Sequence, residues 1–126
     1  MVSRYVRIVE SIRNAGFFTT GVEHKRAWDR VSVCSQRLPG PYYTGNSFWV
    51  SAIGEQWYVG AWGGSIYRVN SEHALIEFAI EWLTVEPSIT AWDFSPEVRE
   101  KYMLEPVSDY QFKSAIRDRK GDSHQS

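Results

Sequence analysis

Residues 47–69 read SFWVSAIGEQWYVGAWGGSIYRV. Side chains alternate in character along this stretch, and glycine interrupts the alternation twice. That pattern predicts three antiparallel strands joined by tight turns. Gly54-Glu55 suits a two-residue II′ turn with glycine first, and Gly63-Gly64 suits a second tight turn. Turns of even length keep the alternation in phase from strand to strand. Ala52 then pairs with Trp57, Val50 with Val59, Phe48 with Ala61, and Ala61 with Ile66 across the second turn. One face carries Phe48, Val50, Ala52, Trp57, Val59, Ala61 and Ile66, an apolar set fit to be the core. The other carries Trp49, Ser51, Tyr58, Gly60, Trp62 and Tyr67. It is aromatic but interrupted.

Working outward, RVSVCSQR (30–37) alternates and reads as another strand, while 17–29 is open between strand and packed loop. LPGPYYTGN (38–46) carries the punctuation of a loop. Tyr5, Val6, Ile8, Val9 and Ile12 form a stripe at helical spacing over 3–14, with Ser3 placed to cap it and Gly16 to end it. Residues 71–84 form a helix capped by Asn70 or Ser71 and apolar over more than half its circumference, so it packs on the core face with Trp57 beneath it. Pro87 follows its end. Ser95-Pro96 opens a short helix. Ser108 and Gln111 match a capping box that opens a last helix to about Arg117. The fold class is α+β: a single antiparallel β-sheet, a three- to four-stranded meander, with an N-terminal helix and about three C-terminal helices. One domain spans 1–117, and the apolar-free end, 118–126, reads as a disordered tail.

The chain has 126 residues, 43% of them hydrophobic and 15% aromatic, which suits one ordinary globular core. No apolar run approaches the ~20 residues of a membrane span. The net charge of −1 argues against a nucleic-acid partner. It is unevenly spread: seven basic against three acidic groups over 1–40, three against ten over 41–109, and four against two over 110–126. One cysteine, Cys34, can form neither an internal disulfide nor a cysteine-based zinc site, and points to a reducing cytoplasm.

Few constellations rise above a structural reading. Cys34 and His24 are a nucleophile–base pair in sequence proximity, with Asp29 able to orient the imidazole and Lys25, Arg26 and Arg30 supplying positive charge. No local signature surrounds them, and a buried structural cysteine is the simpler account. His73 and Glu77 have the i, i+4 spacing of two metal ligands but no third. Glu77 and Glu81 repeat that spacing on a solvated stripe. Gly60 to Gly64 resembles a phosphate loop only superficially, because it joins strand to strand and not strand to helix. No cofactor or metal is called for.

The second face of the meander carries the functional expectation. Rings that close over a strand glycine stabilise a sheet, so Trp49 and Tyr67 about Gly60 have a structural reading. Either the helix at 3–14 covers this face, or Trp49, Tyr58, Trp62 and Tyr67 form an open surface for a partner or ligand. The leading expectation is a small intracellular protein-binding domain, of the adaptor, antagonist or immunity kind, without catalytic activity. A second is a small-molecule pocket between sheet and helices, with Arg68 or Tyr58 as polar handles. A third is a cysteine-dependent enzyme using Cys34 and His24.

Overall fold

The computed structural model of the chain describes residues 4–37, 43–85 and 93–125. In chain order the elements are α1 (Val6–Asn14), β1 (Phe18–Thr19), β2 (Glu23–His24), β3 (Asp29–Arg37), β4 (Tyr43–Ile53), β5 (Gln56–Gly60), β6 (Ile66–Val69), α2 (Glu72–Thr84), α3 (Pro96–Lys101), β7 (Glu105–Val107) and α4 (Asp109–Gln125). The class is α+β with one antiparallel sheet. The sheet has seven strands, not three or four, in the order β1-β3-β4-β5-β6-β7, with β2 also on β3. The additional strands are short and take their conformation from their neighbours: β1 and β2 pair along β3, and β7 returns between α3 and α4 to pair with β6. Residues 43–46 extend β4 and do not belong to a loop. The expected Ser3 cap, the prolines at 39 and 41, and Pro87 lie outside the described residues.

The first turn of the meander is as expected. Ile53 pairs with Gln56 around Gly54-Glu55, Gly54 has φ +60°, and Ala52–Trp57 and Val50–Val59 follow in register. The second turn differs. Ala61 N–H donates to Ser65 O and Gly64 N–H to Ala61 O, with Gly64 at φ +102°. That is a three-residue loop, Trp62 to Gly64, closed by a glycine bulge. An odd loop shifts the phase of the strand after it by one residue. Val59 therefore pairs with Tyr67 and Gly60 with Ile66, so Tyr67 turns to the core face and Ile66 to the other.

The core face is buried under Ile8 and Ile12 of α1, five apolar residues of α2, and Phe94, Val98 and Leu104 around α3. Phe94 is the hub of that layer. Its ring centroid lies 5.0–5.8 Å from those of Phe48, Tyr67, Phe78 and Trp82. Trp57 is buried here, with Tyr5 edge-on to it at 6.0 Å, so α1 sits beside α2 on this same face. Asn46, itself buried, fixes the end of α2: its amide donates to the carbonyls of Trp82 and Val85 at 2.8 and 2.7 Å. The other caps follow the sequence. Ser71 and Ser95 accept from Ala74 and Val98 N–H, and Ser108 and Gln111 cap each other reciprocally.

The second face is covered by α4, not by α1. Phe112 and Ile116 pack onto Trp49, Ile53 and Tyr58 to make a second, smaller core. Gly60 permits this. A Cβ there would lie 1.9 Å from Trp49 Cε2, because the indole lies flat across the glycine.

Tyr5 joins α1 to the sheet where β3 begins. Its hydroxyl donates to Asp29 Oδ1 at 2.5 Å and accepts from Ala52 N–H at 3.0 Å, serving the β4 backbone. Burial, and then the bond to Asp29, push its pKa up to about 12.

Two outcomes follow from this packing. Gly60→Ala should cost at least about 2 kcal/mol in urea unfolding, because the buried indole can move aside only by lifting the layer packed on it. In a Trp49→Ala background the same change should cost far less; equal costs in both backgrounds would contradict the ring-over-glycine contact. Tyr5 contributes stability that is fully present below its unfolded pKa of about 10 and is lost as pH rises toward 12. Tyr5→Phe should therefore lose about 1–3 kcal/mol at neutral pH, where Asp29 and Ala52 N–H are left unpartnered, and should flatten part of the alkaline fall. An unchanged alkaline slope would contradict this assignment.

Candidate functional site

Three of the four rings expected on one open face are buried. Trp49 is 7% exposed and Tyr58 5%, both beneath α4, while Tyr67, at 4%, lies on the opposite face against Phe94. The phase shift at the three-residue loop separates Tyr67 from the others. The cover from α4 closes the remaining pair. Trp62 is 50% exposed at the hairpin tip and is the ring of that set left open.

Trp62 is held from one side. The Arg30 guanidinium lies 5.3 Å from the Trp62 ring and 5.8 Å from the Trp28 ring. Trp28 in turn packs on Trp49 and edge-on to Phe112, each at 5.1 Å. A buried core thus continues through one cation to an exposed indole. Glu23 lies 3.8 Å from Arg30 Nε, and its carboxylate accepts from the hydroxyls of Ser32 at 2.5 Å and Thr20 at 3.3 Å. Cation–π contacts of this partly desolvated kind are each worth about 1 kcal/mol, enough to restrict a tip indole. Strand alternation places Arg30 and Ser32 on the face of Trp49, so Arg30 was legible in the sequence as a neighbour of these rings. Trp28 was not, because 17–29 has no clear period.

The other sequence candidates do not converge. Cys34 is 2% exposed. His24 pairs with Asp29, five residues from Cys34 along β3, so the two stand on opposite faces and roughly 17 Å apart along the strand. His73 and Glu77 form an exposed contact at 3.0 Å, and among the described residues no group of three or more His, Cys, Asp or Glu could hold a metal. Glu81 accepts from Lys101 and from Tyr102; the Lys101 bond holds its carboxyl below the usual range, and the same bond raises Lys101. Arg68, expected as a ligand handle, is paired with Glu105.

Among the described residues, clefts open at three places on the surface. One, of about 1060 Å³, runs between α2 and the end of α3 past Glu81, Lys101 and Met103. A second, of about 370 Å³, lies between β6, β7 and α4 and contains Tyr58, Arg68 and Glu105. The third, of about 490 Å³, lies over Tyr67 and Arg99. Met103 is on the rim of the first and third. It is 68% exposed and has φ +52°, the one non-glycine residue with positive φ among the described residues. Its N–H donates to Glu100 O, and Leu104 N–H to Arg99 O, which is the Schellman closure of a helix. Helix α1 ends in the same way, with Phe17 N–H on Ile12 O, but places Gly16 at the left-handed position. No sequence signal marks Met103, because glycine is the residue that announces this motif.

Compared with protein-family models, curated proteins and solved structures, the chain has no match. Among the described residues no helix is long and apolar enough to cross a membrane.

Met103→Gly should raise stability by about 0.5–1 kcal/mol, since the side chain contributes little packing and the left-handed backbone costs a methionine more than a glycine. A urea midpoint lower than that of the unchanged chain would contradict the strain.

Proposed function

We propose that this chain is a small cytoplasmic protein-binding domain of the adaptor, antagonist or immunity kind, acting by contact and not by catalysis, with Trp62 as the anchor of its contact surface. The observation that carries the reading is the half-exposed Trp62 indole stacked on Arg30. Tryptophan and arginine dominate the energetics of protein interfaces, and an anchor restrained before binding loses less entropy on docking. Arg30 links that anchor to the second core through Trp28. An exposed tip indole adds little to folding, so a contact role accounts for its presence better than a structural one. A protein partner fits better than nucleic acid, because the chain has no basic excess.

With the chain immobilised as bait in a lysate of the cells that carry its gene, Trp62→Ala should reduce recovery of its partner at least about tenfold, equivalent to about 1.4 kcal/mol. Its melting temperature should stay close to that of the unchanged chain. Equal recovery of the same proteins by both baits would contradict the proposal.

A further inference from the structure

We infer that the cleft over Arg99 binds a monocarboxylate carrying a small apolar group. The site is separate from Trp62. An arginine guanidinium has five N–H donors. Arg99 Nη1 donates to Tyr67 Oη at 3.3 Å, the guanidinium lies 5.9 Å from the Tyr67 ring, and its buried Nε has no acceptor among the described residues. Asp93, the acid beside Tyr67, is engaged elsewhere: one oxygen accepts from the Tyr67 hydroxyl at 2.8 Å and the other from Phe94 N–H at 2.7 Å. The other cations lining the three clefts are neutralised, Lys101 by Glu81 and Arg68 by Glu105. Arg99 has no carboxylate within 4.0 Å among the described residues.

A partly desolvated guanidinium without a carboxylate is an incomplete pair. A carboxylate completes it with charge-assisted hydrogen bonds in the fork geometry that arginine favours. The rest of the cleft selects what the carboxylate carries. Pro96, Leu104 and Pro106 give it apolar walls, and Met103, held at φ +52°, sets a deformable thioether on the rim. Its volume of about 490 Å³ is within the range of small-ligand sites. A single cation with Glu100 also on the lining favours a monoanion over a phosphate dianion. Two sources share this chemistry: a free short branched-chain acid, and the C-terminal residue of a polypeptide.

The test is a titration of the full ¹⁵N-labelled chain with N-acetyl-leucine, N-acetyl-leucinamide and 4-methylpentanoate, followed at the Arg99 Nε–H and Leu104 N–H resonances. At least one acid should shift both resonances saturably, with Kd of about 1 mM, the range expected for a ligand of about a dozen heavy atoms. The amide should not. Preference for N-acetyl-leucine identifies a polypeptide C-terminus, and equal binding of both acids identifies the carboxylate and branched chain alone. Arg99→Gln, followed at Leu104 N–H, should weaken binding at least about tenfold, and Trp62→Ala should leave it unchanged. Absence of saturable shifts with either acid, equal shifts from the amide, or undiminished binding by Arg99→Gln would overturn the inference. Should Arg99→Gln fail to fold, the acid–amide comparison on the unchanged chain decides.

Discussion

Gly60 has no side chain, and the Trp49 indole lies across the space that one would fill. Much of the molecule follows from that contact. Lying flat, the indole lets Phe112 and Trp28 approach within 5.7 Å, and α4 closes onto the sheet over them. The sheet then has apolar cover on both faces. Its two cores are unequal: a large one beneath α1, α2 and α3, and a small aromatic one beneath α4. A Cβ at position 60 would lift the indole and, with it, the layer to which Trp28 and Arg30 belong. Gly60, with the indole against it, therefore connects the fold to the placement of Trp62.

Much of the architecture was legible in the sequence because it rests on local chemistry. The II′ turn at Gly54-Glu55, the serine caps of α2 and α3 and the capping box of α4 each need only a few adjacent residues. What was hidden depended on a count or on a distant partner. Two consecutive glycines at 63 and 64 announce a turn but not whether its loop has an even or an odd number of residues. The odd loop moved Tyr67 from one face to the other. Strands β1, β2 and β7 are two or three residues long and carry no period; they exist because β3 and β6 offer edges to pair with. The second face read as open or as covered by the N-terminal helix, because nothing in residues 109–117 by itself says which face of a sheet they will meet.

Where a polar group is buried, it is mostly engaged: Asn46 on the end of α2, Tyr5 between Asp29 and Ala52, Ser51 on Asp29. Among the described residues the exceptions are Arg30 and Arg99, whose buried Nε atoms have no hydrogen-bond acceptor. Met103 is the corresponding exception in the backbone. These three residues, with Trp62, are where local rules are broken, and they lie at the hairpin tip or around the Arg99 cleft. Departures of this kind concentrate at sites of function.

The second sheet face is a closed core with Trp62 as its open edge. Hydroxyl-radical footprinting of the native chain, read ring by ring by mass spectrometry, tests it most directly. Trp62 should oxidise rapidly, with Trp49, Tyr58 and Tyr67 protected until the chain unfolds. Oxidation of Trp49 and Tyr58 as fast as that of Trp62 would show that α4 does not cover the face and that it is not a closed core.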